Sequence, residues 1–244
     1  MLPVNVAARV ADMLDHVRRF EFPVDLPHAK AVNQTLAEVR SLRRSAVIVA
    51  LLCAAGAVWL FVLAHAWSYI VGSVLVVAAV TSVWVALWAP RKVGTIEDLY
   101  RDSPLVPALV ATTRARGLTL LALIDIAKPA DGASEGTGRH HYALVTRDVQ
   151  AIPGHRAKVG ERVPCVAVLS DRTTRNKSGV WQMVSPMPLA WATRDAAVLA
   201  KATAAIDESE WKLLKSKLSS ADEINASDER RVELDLRELP PELR

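Results

Sequence analysis

Of the six histidines in this chain, His140, His141 and, further along, His155 are the first suspects for chemistry near neutral pH. Adjacent residues of an extended segment point to opposite faces, so His140 and His141 cannot easily share one metal ion. No further ligands stand at zinc-site spacing around them. The pair reads as the polar start of a strand. Cys165 lies in the apolar run RVPCVAVLS with no histidine at readable spacing, which predicts a buried, inert thiol. The loop DGASEGTG (131–138) lacks the Lys-Ser/Thr of a phosphate-binding loop and opens no helix. GxSxG, HExxH and kinase signatures are missing. No catalytic, cofactor-binding or metal-binding residue is therefore assigned, and no cofactor is expected.

Charge is more informative. The net charge is +4, with a sequence pI near 9.2. Residues 1–92 carry nine Lys/Arg against five acids, while the rest of the chain is balanced. The surplus flanks an apolar region, which points to membrane topology rather than to nucleic acid. The residues singled out for membrane or partner contact are Arg43, Arg44, Arg91 and Lys92 beside that region, and Arg172, Arg175 and Lys177 in a downstream polar loop. Between 139 and 177, eight bases face three acids; from 207 onward the balance reverses to eleven acids and seven bases. These charges read either as opposite solvated faces of a globular domain or as a basic face set against anionic lipid or an acidic partner.

The elements that must position these groups begin with the apolar run from Ser45 to Pro90, in a chain that is 51% hydrophobic with mean hydropathy +0.19. As one helix, 45–90 would extend roughly 65–70 Å at ~1.5 Å per residue. A hydrocarbon core is about 30 Å thick and takes roughly 20 residues. Cutting at His65–Ser68 gives two spans, 45–64 and 69–89. The cut contains no Lys or Arg, whereas Arg40, Arg43, Arg44, Arg91 and Lys92 flank the spans. The pattern predicts both termini in the cytoplasm and a tight turn outside. Ala50, Ala54 and Ala57 share one helix face, as do Ala79, Ser82 and Ala86, so close packing of the two helices is expected. Neither span holds Asp, Glu, Lys or Arg, so the pair reads as an anchor rather than a transport path. More than 40 mostly polar residues precede the first span, so no cleavable signal peptide is expected.

Residues 1–44 form an N-terminal cytoplasmic helical segment. Val6, Val10, Met13/Leu14 and Val17 recur at helical spacing, suited to docking on the protein's own domain or to lying on the membrane. Pro23 and Pro27 break this pattern, and a helix from His28 is expected to run into the first span. After Lys92, Thr95-x-x-Asp98 caps a short helix through Tyr100. Strand-like runs follow at 105–112, 117–127, 140–152, 162–170, 181–184 and 188–193, with turns at TRARG and Pro153-Gly154. Helices are expected over 194–206 and 208–218, the second with Asp207 as N-cap, then an edge strand at 232–236 in the charged tail 221–244. The fold class is α+β: an amphipathic helix, a transmembrane helical hairpin, and a small β-barrel-like or bent-sheet domain over 93–220 with two C-terminal helices. The two cysteines imply no disulfide framework, which fits a reducing compartment.

FEFPVDLPHAKAVN, APRKVGTIEDLY, AIPGHRAKVGERVPCVAVL and VSPMPLAWAT together resemble a corynebacterial and wider actinobacterial family of two-span membrane proteins catalogued as a domain of unknown function. The similarity runs from about residue 20 to 220. It implies the same two-span layout and carries over no catalytic or binding residue. The chain thus reads as a two-span protein of the inner (plasma) membrane: a membrane-anchored cytoplasmic interaction or regulatory module at the inner leaflet. Its partners would be the lipid bilayer and a membrane or cytoplasmic protein, with self-association open to it and no nucleic acid. An enzyme or small-molecule sensor is the alternative, requiring a concave pocket with convergent polar groups in 93–244.

Overall fold

A computed structural model describes residues 18–93, 95–128, 140–172 and 178–243. The chain divides into two compact units: residues 30–96, and the residues up to Ala29 together with Glu97 onward. The amphipathic segment 6–17 and the loop 131–138 lie outside the described residues.

The first unit is a helical hairpin. The expected helix from His28 into the first span is interrupted: α1 (Leu26–Val32) ends at Asn33, and α2 (Gln34–Leu63) starts anew. Asn33 is extended (φ −72°, ψ 112°) and its side chain accepts the Leu36 N–H at 3.4 Å. An asparagine meets an orphan N–H of the first turn better than it serves as a helix interior residue, so a new helix starts there. The turn also differs from the expected HAWS. Ala64 is left-handed (φ 53°), its N–H bonds to the Phe61 carbonyl, and α3 (Ala66–Val93) already includes Trp67 and Ser68. Ser68 Oγ accepts the His65 N–H at 3.1 Å and donates to the His65 carbonyl at 2.8 Å, so a residue that looked like part of the loop is a cap inside the helix.

Both helices are long and apolar enough to cross a membrane. Leu51, Leu52, Trp59, Val62, Ile70, Val74, Val77, Val80 and Trp84 point away from the protein. The seam between the helices is lined by Ala50, Ala57, Gly72 and Ala86, with Gly56 beside them. Ala54, grouped with that stripe in the sequence, is exposed. The hydroxyls of Ser73, Thr81 and Ser82 donate to carbonyls one turn back at 2.8 Å, which satisfies their protons within the helix itself.

The second unit begins with α4 (Ile96–Asp102) and a six-stranded antiparallel sheet: β1 (Leu105–Arg114), β2 (Gly117–Asp125), β3 (Tyr142–Val149), β4 (Arg162–Ser170), β5 (Met183–Pro188) and β6 (Arg231–Glu233), in the order β5-β4-β1-β2-β3-β6. LVPALV and LTLLALI are buried on both faces, which explains near-continuous apolar runs where an open antiparallel sheet would alternate. Pro107 and Pro164 lie opposite one another across β1 and β4. In this register Pro107 shares its direction with Leu105, whose N–H turns away from β4 toward the Arg18 carbonyl, so the β1–β4 ladder loses no donor to it. Gly117 closes the β1–β2 hairpin at φ +117°, where a Cβ would meet the Val149 carbonyl oxygen at 2.4 Å.

The sheet curls into a half-barrel that brings β5 toward β3. Arg147 on β3 donates to the Pro186 carbonyl of β5 at 3.0 Å and lies over the Trp191 ring. Arg231 on β6 donates to the Trp181 carbonyl at 2.8 Å. Backbone joins in at one end: the Lys128 N–H donates to the Gly179 carbonyl and the Trp181 N–H to the Ile126 carbonyl, each at 2.8 Å, an isolated antiparallel bridge between Ala127 and Val180. PLAWAT, expected to be strand-like, leaves β5 as a 3₁₀ turn at Leu189–Trp191 that fills the interior. α5 (Ala196–Ala205) packs on β4, α6 (Glu208–Ser216) on β1 and β2, and α7 (Ala221–Ala226) on β3. Asp195 and Asp207 cap α5 and α6 through the N–H groups of Ala197 and Ser209.

Candidate functional site

The residues chosen for charge fall in different settings. Arg43 and Arg44 are exposed on α2, and Arg91 and Lys92 lie in the last turn of α3. Arg172 is exposed, with its N–H donated to Gln182 at 3.2 Å, while Arg175 and Lys177 lie outside the described residues. The basic stretch 139–177 does not form one face. Arg147 points into the half-barrel, and Arg162 makes a two-pronged pair with Glu208. A count along the chain cannot separate an arginine that closes a sheet from one that meets solvent.

The histidines gather more. His140, His141 and Tyr142 line a cavity of about 370 Å³ with Ala127, Ser178 and Leu234. His140 Nδ1 is 2.5 Å from Asp125 Oδ2, and the other oxygen of Asp125 accepts the N–H groups of Ala127 and His141 at 3.0 Å each. His141 Nε2 is 2.8 Å from Glu233 on β6. The side chains of the neighbouring histidines, just ahead of β3, therefore reach two different carboxylates, Asp125 and Glu233. Among the described residues no group of three or more His, Cys, Asp or Glu is placed to hold a metal. Burial, with Asp125 and Glu210 nearby, pushes the Tyr142 phenol up to about 12. It stays protonated, a donor rather than a nucleophile. The His140–Asp125 and His141–Glu233 pairs of this cavity tie the ends of β2, β3 and β6 together. Cys165 has no exposed surface, and burial pushes its thiol up.

The most connected polar assembly is one the sequence did not announce. Residues 18–29 form a strap across the second unit. Arg18 accepts the Leu105 N–H through its carbonyl at 2.6 Å and extends its guanidinium to Glu210, 2.6 Å away. Glu210 is buried, while Arg18 keeps about a third of its side chain in solvent, so the pair sits at the edge of the core. Phe22 meets Tyr100 edge-on at 5.8 Å. Asp25 donates its N–H to the Ala192 carbonyl at 2.8 Å and accepts that of His28 at 3.1 Å. His28, 4% exposed, sits between the Ala190 carbonyl and Arg194.

Comparison with known proteins bears on this half of the molecule. The family described as "Protein of unknown function (DUF3239)" matches residues 91–222. The chain belongs to this family. A solved structure described as "a putative membrane protein from Corynebacterium diphtheriae" is 34% identical, with TM-score 0.47, over 53% of this chain and 99% of that one. No curated protein matches the chain.

In this DUF3239 protein the match takes in β1–β5, α5, α6 and the His140/His141 side of the cavity, while the strap, α2, β6 and the cavity wall at Leu234 fall outside it. The strap escaped sequence reading because FEFPVDLP has no period: two prolines and alternating large residues signal only a break. The sign available was Asp25 three residues before His28, an N-cap spacing that marks an ordered segment.

Proposed function

We propose that the protein is a membrane-anchored cytoplasmic module that holds its half-barrel at the inner leaflet to engage a membrane or cytoplasmic protein. One observation carries this reading. The compact half-barrel unit is assembled from chain on both sides of the hairpin, residues up to Ala29 and residues from Glu97. Two segments that fold as one unit must lie on the same side of the bilayer, so the intervening hairpin enters and returns. The side follows from charge: Arg40, Arg43, Arg44, Arg91 and Lys92 flank the spans, and the Ala64–His65 turn has no Lys or Arg, an asymmetry that favours the cytoplasm for the flanks. Arg43, Arg44, Arg91 and Lys92 meet anionic headgroups in this reading, with Arg172, Arg175 and Lys177 as a second contact for lipid or an acidic partner.

Crosslinking in native membranes, followed by identification of what is recovered, tests the module. A stoichiometric protein partner supports it; recovery of the chain alone under efficient crosslinking overturns it.

A further inference from the structure

We propose that segment 153–161, between β3 and β4, is a preformed basic tip that docks an acidic stretch of a protein partner. The proposal rests on the reading of the chain as a module that engages a protein, and names the surface and the chemistry of that contact.

Glu161 builds the tip from beneath. Its carboxylate accepts the N–H groups of Arg156 at 3.0 Å and Lys158 at 3.2 Å, and His155 Nδ1 lies 3.0 Å from it. The Glu161 N–H donates to the Lys158 carbonyl at 2.9 Å. Two further bonds fasten the segment to β1: the Gly160 N–H donates to the Val110 carbonyl at 2.8 Å, and the Val110 N–H to the Glu161 carbonyl at 3.0 Å. Ala157 is held left-handed (φ 54°), a conformation that a side chain disfavours. The one carboxylate within the tip is thus spent on backbone and on His155, not on the cationic side chains it could have neutralised.

Those side chains are left to solvent. Arg156 and Lys158 are exposed, and among the described residues no acid, carbonyl or ring engages either side chain. Val159 beside them is 52% exposed, more than any other large apolar side chain described in this unit. Past Val110, β1 continues into its hairpin with β2, where Arg116 is likewise exposed and unengaged. Asp148 and Asp222, bonded to residues of that hairpin, are already taken. Asp148 accepts from Thr119 and Arg230 at 2.7 and 3.2 Å, and Asp222 from Thr112 at 3.1 Å. The tip stands at the opposite end of β4 from Arg172, so it is a surface separate from the loop around that residue.

Two unpaired cations beside a bare aliphatic side chain, with a third at the same end of the sheet, fit carboxylates flanking an apolar residue. The arginine fork takes a carboxylate with two bonds and the lysine adds a point charge. A fixed turn holds the cations at a set spacing before any partner arrives, which favours a partner whose carboxylates are also set in place. A fluid layer of anionic headgroups gains nothing from such spacing, and one valine offers it little apolar surface to bury.

The test places a benzophenone amino acid at position 159 of the full-length protein and photolyses it in native membranes. The expected adduct is with a protein, and mass spectrometry maps it to a segment rich in Asp and Glu. Arg156→Gln combined with Lys158→Gln keeps both N–H bonds to Glu161, and should cut the adduct yield about tenfold. The same probe at exposed Lys201 on α5 should not form the adduct. An adduct with lipid, an adduct on a segment without acids, a yield unchanged in the double variant, or equal yield from position 201 overturns the proposal. If general crosslinking recovers a stoichiometric protein that position 159 does not label, the tip is wrong and the module stands. If general crosslinking recovers the chain alone, both fall.

Discussion

Glu161 shows how one carboxylate can order a turn. Burial raises its carboxyl, but the Arg156 and Lys158 N–H groups and the adjacent His155 outweigh that and hold it below the usual glutamate range. A depressed carboxylate contributes stability above its unfolded value, about 4.3, and loses it as pH falls through the folded value. Glu161→Gln should therefore lower the denaturation midpoint at pH 7, with the difference shrinking in acid-unfolding curves once pH falls below the unfolded value of about 4.3. Tyr142 offers an optical test. Its phenol is pushed up to about 12, so the difference in 295 nm absorbance between wild type and Tyr142→Phe should appear only in strongly alkaline solution. The residue types at the His140 cavity were legible in the sequence, but their partners were not. Asp125 closes a strand of apolar residues and Glu233 lies over ninety positions away, so only the β2-β3-β6 pairing brings them together. Cys165 was legible because an apolar run alone implies burial.

At the scale of elements, period and punctuation carried most of the reading. β1, β2 and β4 stand where their apolar runs do, and Asp207 caps α6 as its spacing implies. The misses share a cause: Ala64, Asn33 and Leu189–Trp191 adopt local geometries set by neighbours that hydropathy does not record. In the hairpin, a Cβ on Gly72 would stand 2.8 Å from the Phe61 ring. Gly72→Leu should destabilise the hairpin by roughly 1–3 kcal/mol through overpacking. Val74→Leu, on the outward face, should be near neutral; thermal melts of purified protein in detergent compare the two. In the half-barrel, Arg147→Met keeps the stem over Trp191 but leaves the Pro186 carbonyl without this donor. A loss of about 1–3 kcal/mol is expected, with faster hydrogen exchange along β5.

For the whole molecule, the pair of long apolar helices was legible because membrane thickness sets the length at which one apolar run must be read as two. The joining of residues 18–29 to the half-barrel was not, since nothing in a linear pattern pairs segments separated by a hairpin. Replacing 30–96 with a flexible linker should give a soluble protein whose melting temperature exceeds that of 97–244 alone. The strap satisfies the Leu105 N–H, the Ala192 carbonyl and the Glu210 carboxylate, which the shorter fragment leaves bare. Topology has a separate check. With Cys53 and Cys165 replaced, a cysteine at exposed His65 should react with an impermeant maleimide added outside intact cells, and cysteines at Arg43 and Arg172 should not.

The strap also imposes an order on biosynthesis. It leaves the ribosome before either span, yet its binding surface is made only after both. A chain whose hairpin failed to return would strand the strap and the half-barrel in different compartments, and the domain would stay incomplete. In the topology proposed above, completion of the domain therefore depends on a hairpin that returns.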